Sequence, residues 1–116
     1  MKPELSLGTA QFGLTYGITN KKGKIDSSEI LKILKYSKDN GIKYIDTAQA
    51  YGEAEKIIGN SLPKKNKFLI TSKLPPIDKV SIDDAMISEF EKKFQNSLIE
   101  LKQESLDIFL LHRICI

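Results

Sequence analysis

The chain has 116 residues, enough for one hydrophobic core and too few for two domains of ordinary size. Its 41% hydrophobic and 28% charged residues exclude the signature of disorder, and a net charge of +3 is too small and too dispersed to suggest a nucleic-acid-binding surface. A single cysteine, Cys115, and a single histidine, His112, provide neither an intrachain disulfide nor a Cys/His metal set, so no metal is expected and a reducing cytoplasm is. No apolar run approaches the roughly 18 residues of a membrane span, and the start Met1-Lys2-Pro3-Glu4 lacks a signal-peptide pattern, so neither export nor membrane insertion is expected.

In chain order, Leu5 to Thr9 predicts a short strand that runs into a glycine-rich segment, Gly8 to Gly17, where no regular element is expected. Asp26-Ser27-Ser28-Glu29 reads as a capping box with Asp26 as N-cap, and Ile25 and Ile30 stand at the staple positions. Ile30, Ile33, Leu34 and Ser37 then share a helical face, and Asn40-Gly41 supplies a left-handed stop. Ile42 to Ile45 predicts a second strand ending on Asp46. Glu53 to Leu62 places Ala54, Ile57, Ile58 and Leu62 on one stripe closed by Pro63, and Lys64-Lys65-Asn66-Lys67 reads as a solvated turn. Phe68 to Ser72 predicts a third strand that runs into Lys73 and is halted by Pro75-Pro76. Ser81 to Asp84 reads as a second capping box, after which Ile87, Phe90, Phe94, Leu98 and Leu101 carry the helical period to about Lys102. Leu106 to Leu111, apolar enough for a strand buried on both faces, runs into His112.

The order is β-α-β-α-β-α-β, which crossover handedness turns into a parallel α/β sheet. Two architectures share it: an open doubly wound sheet, or the first four strands and three helices of a (β/α)8 barrel. In either, ligands bind at the carboxyl ends of the strands, and three successive strands here end on Asp46, Lys73 and His112, with Tyr51 five residues after Asp46. These types fit one reaction. A phenol of ordinary pKa about 10 is a poor acid near neutrality unless a cation favours phenolate. Lys73 would be that cation, Asp46 would keep it charged and oriented, and His112 would bond a substrate oxygen or assist proton transfer. Tyr51 would protonate a carbonyl oxygen as hydride reaches its carbon, which implies a nicotinamide cofactor because no side chain carries hydride.

The segments Leu7-Gly8-Thr9-Ala10-Gln11-Phe12-Gly13, Tyr44 to Gly52 (YIDTAQAYG), Ile70-Thr71-Ser72-Lys73 and Leu110-Leu111-His112-Arg113 resemble, in order and spacing, the aldo-keto reductase family. The resemblance covers nearly the whole chain. It implies a TIM barrel, reduction of a small aldehyde or ketone with NADP(H), and a catalytic tetrad carried onto Asp46, Tyr51, Lys73 and His112. It also implies that Gly8, Thr9 and Ala10, with Asp46, lie beside the nicotinamide ribose. Gln11-Phe12-Gly13 and Tyr16-Gly17-Ile18 resemble bacterial members associated with sugar or surface-polysaccharide metabolism.

Two departures accompany the resemblance. Many members open with a β-hairpin under the barrel, whereas strand one begins here almost at once. The family also holds eight strands, and this chain reaches its fourth, so residues 1–116 read as a partial, truncated domain lacking the loops after strands seven and eight that commonly bind phosphate. Weak or absent activity of the isolated half-barrel is therefore expected, as are unpaired sheet edges and one uncovered face. The alternative is a non-enzymatic product or module that covers those surfaces by self-association or by docking a complementary C-terminal half. Phe90 and Phe94 are expected in the core, Tyr16 and Tyr36 partly exposed, and Cys115 an incidental thiol.

Overall fold

The computed structural model describes residues 3–78 and 81–114; Cys115 lies outside them. Four strands, β1 (Ser6–Gly8), β2 (Tyr44–Asp46), β3 (Leu69–Leu74) and β4 (Ile108–Leu111), form one parallel sheet in the order β1-β2-β3-β4. Helices α2 (Ser27–Asp39), α3 (Ala54–Ser61) and α4 (Asp84–Leu101) connect them, and a one-turn helix α1 (Ala10–Gly13) follows β1. Each strand thus lies beside its predecessor, as in consecutive βαβ units wound in one direction. This is the opening arrangement of a (β/α)8 barrel rather than a doubly wound sheet, whose strand order would reverse.

Side chains alternate across each strand, and the helices occupy one face only. Ile45 on β2 and Ile70, Ser72 and Leu74 on β3 are buried on that face. Ile45 and Ile70 join Ile30 and Leu34 of α2, Ala54 and Ile58 of α3, Leu101 of α4 and Phe12 of α1 in a single core. The opposite face is open: Leu69, Ile108 and Leu110 are 39%, 46% and 45% exposed. This is the uncovered face expected of the four-stranded parallel sheet, although the apolar sequence of β4 by itself reads as a strand buried on both faces. Nothing among the described residues pairs with its outer edge or covers its inner face, so its apolar residues stand half in solvent.

Local chemistry explains most boundaries. The Asp26 carboxylate accepts from the Glu29 amide at 3.0 Å, and Gly41 takes φ +77° just past the Asn40 C-cap. Ile42, expected in β2, is still tied back to helix α2, its amide donating to the Ser37 carbonyl, so the strand starts at Tyr44. Two further expectations are corrected. The segment after β1 contains α1, because burial of Phe12 anchors one helical turn despite the glycines around it. The N-cap of α4 is Asp83, whose carboxylate accepts from Met86 at 2.8 Å, rather than Ser81, so the helix begins two residues later than the capping-box reading implies.

The buried stripe of α4 also differs: Met86, Ser97 and Leu101 are buried, whereas Ile87 is half-exposed. Phe94 packs edge-on against Phe109 of β4 at 5.0 Å, and Tyr16 and Tyr36 are exposed. No helix among the described residues is long and apolar enough to cross a membrane.

Candidate active site

Register places the candidate residues. Asp46 pairs with Thr71 and Lys73 with Leu110. Lys73 lies two residues beyond Thr71 and His112 two beyond Leu110, so period-two alternation sets Asp46, Lys73 and His112 on the uncovered face at the carboxyl end of the sheet. Tyr51 reaches the same mouth from the loop between β2 and α3. The loops after β3 and β4 continue to pair there, the Ile77 amide donating to the Arg113 carbonyl at 3.1 Å.

The Lys73 ammonium donates to an Asp46 carboxylate oxygen at 2.8 Å and to the Thr47 carbonyl at 2.8 Å. The lysine side chain is 14% exposed and the aspartate 38%, so the ion pair is only partly screened by water. Two of the three ammonium protons are thereby committed. The ammonium also lies over the Tyr51 ring, 5.2 Å from its centroid. Among the described residues the contact is to the ring face, and no hydrogen bond joins Lys73 to the phenol hydroxyl. His112 meets Tyr51 edge-on, with ring centroids 5.8 Å apart and planes at 85°. All four predicted residues are brought together. Two buried polar atoms at this end, Nδ1 of His112 and Oγ1 of Thr47, have no hydrogen-bond partner among the described residues.

The three positions expected beside a ribose behave differently from one another. Gly8 faces open space, with nothing within 4 Å of where a Cβ would stand. Thr9 is fully buried, and both its amide and its hydroxyl donate to the Asp46 carbonyl, at 3.1 and 2.9 Å, which fixes the end of β2 against β1. Ala10 opens α1 and is partly buried.

Two residues absent from the sequence-based set hold the Tyr51 loop. Gly13 lies so close beneath it that an added Cβ would sit 1.7 Å from the Tyr51 carbonyl oxygen. Gly52 adopts φ +59° against the Gly13 carbonyl. The signal in the sequence was the glycine of Tyr51-Gly52, but its partner thirty-nine residues earlier is a contact only the fold creates. A concavity of about 660 Å³ between the ends of α2 and α3, lined by Leu34, Leu62 and Phe68, lies at the other end of the sheet and takes no part in this constellation. No group of three potential metal ligands occurs among the described residues.

The model of the aldo/keto reductase family matches residues 4–115. The chain belongs to that family. Among solved structures, this aldo-keto reductase chain is similar to a proposed aldo-keto reductase from Pseudomonas aeruginosa, with 28% identity and a TM-score of 0.74 over 91% of this chain and 41% of that one. The holo form of an aldo-keto reductase from Bacillus halodurans shares the fold at 21% identity and a TM-score of 0.68, over 92% of this chain and 35% of that one. A proposed 2,5-diketo-D-gluconic acid reductase B shares it at 24% identity and a TM-score of 0.62, over 95% and 34%. The chain thus spans about two fifths or less of the length of these structures. A comparison with curated proteins finds no match.

Proposed function

We propose that this aldo-keto reductase chain carries the acid–base half of a carbonyl-reducing site that works with NADP(H) on a small aldehyde or ketone. The observation that supports this reading most is the Lys73 ammonium, bonded to Asp46 on one side and lying over the Tyr51 ring on the other. Tyr51 donates its phenol proton to the carbonyl oxygen as charge develops there. Lys73 stabilises the phenolate left behind, and Asp46 keeps the ammonium charged and in place. His112, with its unpartnered Nδ1 and its edge against Tyr51, orients the substrate oxygen.

The residues present fit a nicotinamide cofactor: Gly8 fronts open space beside Asp46, whose carboxylate retains exposure. Gly8, the backbone of Thr9 and Ala10, and Asp46 would hold the ribose. When bound, the cofactor supplies hydride to the carbonyl carbon. No metal enters this reading. Because a complete barrel commonly binds phosphate through its last two loops, the 116-residue chain alone is expected to turn over weakly or not at all.

The test is oxidation of NADPH in the presence of a panel of aldehydes, with cofactor binding followed by its fluorescence. Tyr51→Phe is expected to lower the rate by about 10²- to 10⁴-fold, the usual contribution of a general acid. A measurable wild-type rate that Tyr51→Phe leaves unchanged would overturn the reading.

The exposed Leu69, Ile108 and Leu110 favour a second reading, in which the uncovered face docks a complementary C-terminal half-barrel or a second copy of this chain. Sedimentation that returns only a compact soluble monomer would count against it.

A further inference from the structure

Behind the sheet, away from the mouth, lies a polar cluster that the proposed chemistry does not use. Glu55, in the first turn of α3, is 5% exposed, and one oxygen of its carboxylate accepts from the hydroxyls of Ser72 at 2.5 Å and Ser97 at 2.8 Å. Both serines are fully buried. Ser97 Oγ in turn accepts from the Gln49 side-chain amide at 2.7 Å, which also donates to the Lys93 carbonyl at 2.7 Å. A carboxylate removed from water and held by two hydroxyls is an expensive way to fill a core, and an apolar side chain would pack there without that cost.

The members of the cluster are placed with respect to the mouth. Gln49 and Glu55 bracket Tyr51 in the chain, two residues before it and four after. Ser72 is the residue before Lys73 and faces the other side of β3, and the Gln49 backbone amide donates to the Lys73 carbonyl at 3.2 Å. Both ends of the Tyr51 segment are therefore clamped to the strand that carries Lys73 and to α4. We infer that Glu55 is a positioning residue, which, with Ser72, Ser97 and Gln49, fixes the Tyr51 ring against the Lys73 ammonium and His112. The inference rests on the reading of Tyr51 as the acid for its functional meaning, but the geometry it asserts is measurable without turnover.

The test is NMR of the full chain, reading two signals: cross-relaxation between the Tyr51 and His112 rings, and the ring-current shift of the Lys73 side-chain protons beneath Tyr51. Both are expected in the wild type and lost in Glu55→Ala. Partial recovery is expected in Glu55→Gln, which keeps an acceptor oxygen for the two serines. Leu34→Ala, a core truncation in α2 away from the cluster, is expected to lower thermal stability and leave both signals in place. If Glu55→Ala does not fold, Gln49→Ala and Ser97→Ala decide: each cuts one link, and each is expected to weaken both signals. Unchanged signals in the folded variants would overturn the inference and leave Glu55 a packing residue. Loss of these signals together with a measurable NADPH oxidation that Tyr51→Phe leaves unchanged would keep the positioning and remove the reductase reading instead.

Discussion

The two sides of the mouth are built differently. On β2 and β3, Asp46 and Lys73 are joined directly, and the carbonyl of each is tied to a neighbouring segment, Asp46 to Thr9 and Lys73 to Gln49. On β4, His112 touches Tyr51 only by ring packing, its Nδ1 is unpartnered, and the strand beneath it exposes Ile108 and Leu110. A charged pair needs its partner and its solvation settled within the fold, because an unpaired charge in a half-buried site takes a large share of the small net stability of a domain. A ring contact has no such requirement. The chain therefore closes by itself the part of the site where an error would be costly, and leaves His112 beside an uncovered face.

The largest effect that would sharpen this contrast comes from matched truncations on the two sides. Ile45→Ala removes a fully buried side chain of β2 and is expected to lower the unfolding free energy by about 2–5 kcal/mol. Leu110→Ala, at 45% exposure on β4, is expected to change it by about 0.5 kcal/mol or less. Urea denaturation of the two variants measures both. Similar losses would show that β4 is covered in solution, and sedimentation of the wild type would then identify a second copy as the cover.

An intermediate effect is expected at Gly13. A methyl group there must displace the Tyr51 carbonyl, which backbone geometry cannot absorb in place, so Gly13→Ala is expected to cost about 1–3 kcal/mol and to separate the Tyr51 and His112 rings. Gly8→Ala, with open space in front of it, is expected to leave stability unchanged while interfering with NADPH binding. Fluorescence titration alongside denaturation distinguishes the two glycines.

Much of this was legible in the sequence, for identifiable reasons. The βαβ order follows from apolar periodicity, and the three strand-end residues, with Tyr51 in the adjoining loop, follow from knowing that ligands gather at the carboxyl ends of parallel strands. The Asp26 cap was legible because capping is a local interaction between residues three apart. What escaped was long-range or polar. Counting apolar residues placed Ile87 in the buried stripe of α4 and passed over Ser97, because Ser97 is inside to bond Glu55, forty-two residues away. The α1 turn escaped because its helix is held by the burial of Phe12 rather than by propensity, and Gly13 because its close neighbour belongs to another loop. The edge character of β4 was legible from the number of strands and not from its composition, since an apolar strand looks the same whether its neighbours are present or not.

The smallest effect concerns the helix layer behind the closed side. The Ser28 hydroxyl, then the Glu29 amide, both bonded to the Asp26 carboxylate, hold its pKa below the ordinary 3.8. A carboxylate with a depressed folded pKa contributes stability that is present above its unfolded value and lost as pH falls through the folded one. Glu4 behaves in the same direction, lowered by its hydrogen bond with Tyr44 and then by Lys43, so the wild type should lose stability on acidification from both sites. Asp26→Asn keeps a capping oxygen but cannot titrate. Its urea midpoint is expected to stay near that of wild type at neutral pH and to fall less steeply below about pH 4, with the residual slope removed by adding Glu4→Gln. Asp26→Ala, which loses the cap itself, is expected to be less stable than Asp26→Asn at every pH. An acid slope identical in wild type and Asp26→Asn would show that the cap is not maintained by the charged carboxylate, and would leave Glu4 as the site of the acid sensitivity.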